Sequence, residues 1–424
     1  VGSLFGDSLM RYGALLRAAV APSPGRRWYS FDRTRVRRLL VMAVFVPLFT
    51  LGMVLHWLAL ALDEVLFPGY RRVEIRDPLF VLGVPRSGTT ALHRVLARDP
   101  GVTTFSTWEC LFAPSITQRK VVLGLARADR AVGRPLGHLL GWLQGHVFGG
   151  LDDVHAMDLS APEEDYLALL PVLACFILVV PFPQAEALWR LGRVDRSMPE
   201  GEKRRLMAFY KGLLRRHLYV HGPDKRLLSK NAAFAGMAGT LRETFPDARV
   251  ICCLRDPVSV VPSQMSAIQG GVALFGGDPD GTVFQTRMPA LLAEYYDTLL
   301  RAAPPPAITG RHVTLDMAAV KTELSRSVRR AHDILGLPLN PGLDAVLEAE
   351  TARSRAWRSA HRYALADFGL DETTLRQRFA AVYAAFPFGR PMLPEAPRET
   401  EEAPAVVPDA RSARAPVLAG QQGR

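Results

Sequence analysis

Apolar runs of strand length occur at 78–84, 226–229, 249–254 and 311–315, with helical patterns such as 203–221 and 289–302 between them. Strands alternating with helices predict an α/β fold, a parallel sheet flanked by helices. Two longer apolar stretches interrupt this rhythm. Residues 39–62 form 24 consecutive positions without formal charge, enough to cross a hydrocarbon core. Arg26, Arg27, Arg33, Arg35, Arg37 and Arg38 precede them, and Arg71, Arg72 and Arg76 follow. Cations on both sides favour a monotopic or re-entrant helix, broken near Pro47 or Gly52, over a single span. A buried helix pair is the third reading. The apolar part is too long for a signal peptide, and no small-residue cleavage site follows. The second stretch, 166–182, contains Pro171 and is shorter than a comfortable span. It reads as a buried helix or the wall of a hydrophobic pocket. From 391 onward six prolines fall in 34 residues among scattered charges, a composition that cannot build a core. The chain therefore divides into a basic segment 1–38, a hydrophobic segment 39–67, an α/β domain 76–388 and a disordered tail 391–424.

The first strand runs straight into GVPRSGTT, residues 83–90. Gly83 and Gly88 permit a tight loop, and a helical pattern begins after Thr89 and Thr90. This is a strand, an anion-cradling loop and a helix. Where a nucleotide kinase or phosphatase keeps a lysine this chain has Thr89, and the cation stands earlier, at Arg86. A second constellation, LRDPVSVVPSQMS at 254–266, places Arg255 at a strand's carboxyl end, where ligands of open α/β sheets gather. Asp256 can cap the following helix, Pro257 suits its first position, and Ser263 lies about two turns on. An arginine and a serine so placed can hold another phosphate. They can equally be a structural ion pair with Asp256 and an ordinary helix residue.

Together these two motifs resemble the sulfotransferases that use 3′-phosphoadenosine 5′-phosphosulfate (PAPS), over roughly 78–388. The large bacterial sulfotransferase family is the nearer likeness and the tyrosylprotein sulfotransferases the more distant. HRYALADFGLD at 361–371 is similar to a late string of that family. The resemblance implies a P-loop-like parallel sheet. It implies that Arg86, Ser87, Gly88, Thr89 and Thr90 hold the phosphosulfate, and that Arg255 and Ser263 hold the 3′-phosphate. Pro262, inside the second helix, is expected to kink it and disturb Ser263.

Sulfuryl transfer needs charge neutralised, a proton removed and water excluded. Lys230, just after the strand 226–229, and Arg86 are the cations expected to stabilise the reacting oxygens. Glu109 is the expected base, since burial beside Trp108, Cys110 and Leu111 should raise its pKa. His155 and the acidic run Glu163, Glu164 and Asp165 are its rivals, although that run also suits a helix N-terminus. The basic stretch 353–362 reads either as a lid over phosphates or as a solvated loop. No His/Cys/Asp group shows metal-ligand spacing, so no metal is expected.

Composition narrows the partners. The chain has 424 residues, 49% of them apolar, and a net charge of +11. The basic surplus suits a membrane surface or an anionic small molecule. No zinc spacing or aromatic-laced basic helix points to nucleic acid. Cys110, Cys175, Cys252 and Cys253 contain no CxxC pair and read as buried free thiols of a reducing compartment. With the initial valine, as from a non-standard start codon or a trimmed terminus, they suggest a bacterial, cytoplasmic, membrane-associated enzyme; a single-pass protein is the alternative. The acceptor is a small molecule or lipid. The competing functions are a nucleotide kinase or phosphatase, which would need the missing lysine, and a non-catalytic membrane-anchored nucleotide-binding protein.

Overall fold

The computed structural model describes residues 2–22, 32–147, 159–302, 310–356 and 365–389. All lie in the first, Val1–Met392, of two units into which the chain divides. The tail from 391, His155 and residues 357–364 fall outside the described residues.

Five strands form one parallel sheet: β1 Leu79–Gly83, β2 Val102–Thr103, β3 Arg226–Asn231, β4 Arg249–Leu254 and β5 His312–Asp316, in the order β2-β3-β1-β4-β5. β1 is central and buried along its whole length, which explains why its sequence is continuously apolar instead of alternating. Val81 sits opposite Lys230 on one side and Ile251 on the other. Because every strand points the same way, their carboxyl ends share one edge. The loop 84–88, Asn231, Arg255 and Asp316 all emerge there.

The four long strands match the apolar runs, and the helices Glu200–His221 and Thr282–Ala302 contain the predicted helical stretches. The segment 166–182 differs. It is largely buried, yet Asp165–Val172 and Phe176–Val179 are short 3₁₀ turns. Pro171 withholds an amide hydrogen, and Leu173 turns the chain through a left-handed conformation at φ 53°, so no α-helix can propagate.

The N-terminal part forms two helices, α1 Gly2–Val20 and α2 Arg33–Leu66. α2 runs unbroken through Pro47 and Gly52, so the expected break is absent. Its inner face is tied to the body along its length. Near its start the buried Arg38 guanidinium donates to the carbonyls of Ala18, Pro181 and Phe275 at 3.0–3.2 Å. Further along, Trp57 Nε1 donates to Pro171 O at 2.8 Å. Near its end the fully buried Asp63 accepts from Ile116 N and Thr117 N at 2.8 Å and from Arg216 Nε at 3.0 Å.

Candidate functional site

The loop after β1 is shaped by close approaches only glycine allows. A Cβ on Gly83 would lie 2.3 Å from the Cys253 carbonyl oxygen. Gly88 stands at φ 77°, and a Cβ there would lie 1.9 Å from Met317 Sδ. Ser87 is buried and its hydroxyl donates to Val84 O at 2.6 Å, which closes the turn. Arg86 takes a left-handed φ of 66°, a conformation that costs a non-glycine residue about 1–3 kcal/mol. α3, Thr89–Leu96, then starts with Gly88 as its cap and no capping side chain. Its first-turn amides lack a side-chain acceptor, and the helix dipole favours an anion there.

The second motif meets the first directly. Arg86 Nε donates to Ser263 Oγ at 3.0 Å, and Arg255 Nη1 donates to the Arg86 carbonyl at 3.0 Å. The helix Pro257–Phe275 continues through Pro262 and buries Ser263 on the face toward Arg86, so the expected disturbance does not displace the serine. Asp256 does not pair with Arg255. Its carboxylate accepts from Val258 N at 3.0 Å and from Tyr383 OH at 2.5 Å. Among the described residues neither Arg86 nor Arg255 has an ion-pair partner. Burial, and then the neighbouring Arg86 charge, hold the Arg255 pKa below its ordinary value. Two arginines held together without a carboxylate leave an electrostatic deficit that a bound anion would fill.

Lys230, at 4% exposure, contacts the carboxylate of Glu164. The other Glu164 oxygen accepts from Ala232 N at 3.3 Å. The acidic run thus opens a 3₁₀ turn and also reaches the sheet edge. Asp165, beside it, is fully buried and accepts from Tyr210 OH at 2.7 Å and from Ser229 Oγ at 3.0 Å. Burial pushes its pKa up to about 6. His93, on α3, is also buried. That burial, with the charges of Lys230 and Arg94, brings its pKa down to about 3, so it is neutral at physiological pH.

Glu109 differs from expectation. It lies on α4, Thr107–Phe112, where it forms a capping box with Ser106. Its other oxygen is 2.6 Å from His221 Nε2, 3.4 Å from Arg119 Nε and 3.6 Å from His217 Nδ1. Burial alone pushes the carboxyl up. Arg119, His217 and His221 together outweigh it and hold the pKa well below the carboxylate range. A carboxylate so stabilised is a poor base, and its contacts run to α5 (Ile116–Ala131) and the helix Glu200–His221, not to the loop 84–88. The reasoning from burial omitted these cations, which come from residues up to 112 positions away.

One cluster was missed in the sequence. Glu109, His217 and His221 bring ligand-type atoms within 4.8 Å of one another. The signal was the spacing of His217 and His221, one helical turn apart on one face. Arg119, fully buried and ion-paired to the same carboxylate oxygen, opposes a cation at that point. The described part of the basic stretch, 353–356, ends the helix Leu343–Ala356. Ser354 and Arg355 there bond to the Lys321 and Thr322 carbonyls at 2.9 and 2.6 Å.

A family model described as "Sulfotransferase family" matches residues 78–341, more than half of the chain. The fold is similar to that of sulfotransferase STF9 from Mycobacterium avium, with a TM-score of 0.66, 18% identity, and coverage of 89% of this chain and 96% of that one. It is also similar to sulfotransferase STF1 from Mycobacterium tuberculosis, with a TM-score of 0.64, 19% identity, and coverage of 88% and 92%. None of the curated proteins matches the chain.

Proposed function

The chain belongs to the sulfotransferase family, and from that premise we propose that it moves a sulfuryl group from PAPS to a hydroxyl or amine of an apolar acceptor. The observation that carries this reading is Arg86 in contact with both Arg255 and Ser263, neither arginine having a carboxylate partner among the described residues. The donor has two anionic groups at opposite ends of one ribose. In this reading the 84–90 loop is P-loop-like. Its amides with Arg86, Ser87, Gly88, Thr89 and Thr90 hold the phosphosulfate, while Arg255 and Ser263 hold the 3′-phosphate. Region 76–388 is the catalytic domain.

The reaction breaks the sulfur–oxygen bond to the 5′-phosphate and forms one to the acceptor oxygen or nitrogen. The phosphate keeps the bonding electrons, and the acceptor loses one proton. Arg86 and Lys230 neutralise the charge that develops on the leaving oxygen. We assign the proton to Glu164 in place of Glu109, because Glu164 is the carboxylate in contact with Lys230. One buried-edge ion pair then supplies both the cation for the leaving group and the base for the acceptor. His93, kept neutral, adds no competing charge.

The apolar surface of α2 supports a membrane-associated enzyme on the cytoplasmic face, where the donor is made, and a lipid or other apolar acceptor. Calorimetric titration with adenosine 3′,5′-bisphosphate and with ATP tests the donor assignment. Tighter binding of the bisphosphate is expected. Preference for ATP, with ATP hydrolysis, would overturn it.

A further inference from the structure

α2 presents an outward stripe that no part of the described chain covers. Val44, Leu48, Leu51, Leu55, Leu58 and Leu62 recur at steps of four and three and are 48–65% exposed. From Val36 to Leu62 the stripe is about 40 Å long at 1.5 Å per residue. α1 and α5, which both pack against α2, also expose apolar residues, Leu9 and Met10 on the first and Val121 and Leu125 on the second. Monomeric soluble proteins seldom leave so long an apolar face open.

Charge identifies the occupant. Arg33 stands exposed before the stripe and Arg37 in its first turn, and Arg72 stands exposed beyond its end; Arg71, also exposed, is ion-paired to Glu64. No acidic residue occurs between 33 and 62, and Asp63 is turned inward to Arg216. An apolar stripe bounded by cations matches an anionic lipid surface. It does not match a second copy. A parallel pair would bring the arginine-rich starts together, and an antiparallel pair would bring each start toward the Arg72 that follows the other helix.

The contacts of the inner face decide the orientation. Arg38 near the start and Asp63 near the end are both buried in the body and hydrogen-bonded to it. A perpendicular crossing would strip both of these partners and carry charged side chains toward hydrocarbon. We propose that α2 is an in-plane anchor. It lies flat on the membrane with its outer stripe among the acyl chains of anionic lipid, and both of its ends stay on one side. This inference stands independently of the reaction.

The full chain, carrying Leu40→Cys, Leu48→Cys or Leu58→Cys labelled with an environment-sensitive fluorophore, is mixed with vesicles of phosphatidylcholine alone or with a quarter phosphatidylglycerol. The native cysteines are buried, so the label reports the introduced position. Flotation with the anionic vesicles is expected, at least tenfold weaker with the neutral ones. Quenching by lipids brominated at set depths should place all three labels at one shallow depth. A deep Leu48 label between shallow Leu40 and Leu58 labels would show a span and overturn the proposal. So would a dimer by light scattering that ignores vesicles. The Leu48→Glu, Leu55→Glu double variant should lose flotation at least tenfold while keeping its melting temperature and bisphosphate binding. Retained flotation in that variant would move the contact elsewhere and refute the stripe.

Discussion

Replacing Arg255 with methionine separates a ligand-holding arginine from a structural one. Among the described residues the Arg255 side chain makes a single hydrogen bond, to the Arg86 carbonyl at 3.0 Å. Its loss should cost about 0.5–1.5 kcal/mol. Relief from the adjacent Arg86 charge, and from the burial that lowers the Arg255 pKa, acts in the opposite direction. Stability of the free protein should therefore change by less than about 1 kcal/mol. Donor binding should respond differently, because a hydrogen bond to a charged group contributes about 1.5–3 kcal/mol. Losing the 3′-phosphate contact should raise the Kd for adenosine 3′,5′-bisphosphate by ~10- to 150-fold. Affinity for adenosine 5′-phosphate should stay near the wild-type value. Calorimetric titration of both nucleotides and a urea melt of both proteins supply the comparison. Unchanged bisphosphate affinity, with a stability loss beyond about 3 kcal/mol, would show a structural arginine and refute the reasoning.

Glu164→Gln keeps the shape of the contact with Lys230 but removes its basicity. Turnover should fall by roughly 10²–10⁴ with bisphosphate affinity within about threefold, and unchanged turnover would remove the base assignment. Glu109→Gln breaks a buried ion pair with Arg119 and should destabilise by roughly 3–5 kcal/mol, while the folded fraction still transfers sulfate. A large loss of turnover at unchanged stability would return Glu109 to the chemistry. Acid should destabilise the protein well above the usual range of carboxylate titration. His93 and His312 have pKa values pushed down to about 3 and about 4, chiefly by burial, against about 6.5 when unfolded. The unfolded chain thus binds more protons below pH 6.5, and each histidine lowers stability by roughly 1.4 kcal/mol per unit as pH falls, an effect offset in part below pH 6 by Asp165, whose raised pKa lets the folded state take up a proton first. Urea midpoints at pH 7, 5.5 and 4.5 measure this, and a flat profile would contradict it.

Much of the sheet was visible in the chain because a central parallel strand is buried on both faces and must be continuously apolar. Positions 79–83 and 249–254 therefore stand out unaided. The loop 84–88 was visible for a related reason. Gly83 and Gly88 mark places where a Cβ has no room, and the missing lysine at 89 is a chemical fact that needs no coordinates. The pairing of Arg86 with Ser263, 177 residues apart, follows from both following the carboxyl ends of neighbouring strands. What could not be read was the sign of a pKa shift. Burial of Glu109 was foreseeable from its neighbours, but Arg119 and the two histidines reach it only through packing of α5 and the helix Glu200–His221. The contact of Glu164 with Lys230 was hidden likewise, since an acidic run before an apolar stretch looks like a helix start from the sequence alone. The left-handed turn at Leu173, which helps break 166–182 into 3₁₀ pieces, has no glycine to announce it.

Transfer of radiolabelled sulfate from PAPS into a bacterial lipid extract tests the donor assignment. Label is expected in an apolar product with wild-type protein, and at least tenfold less with Arg255→Met at limiting donor. Absence of transfer to any acceptor in the extract, together with steady hydrolysis of ATP, would contradict it.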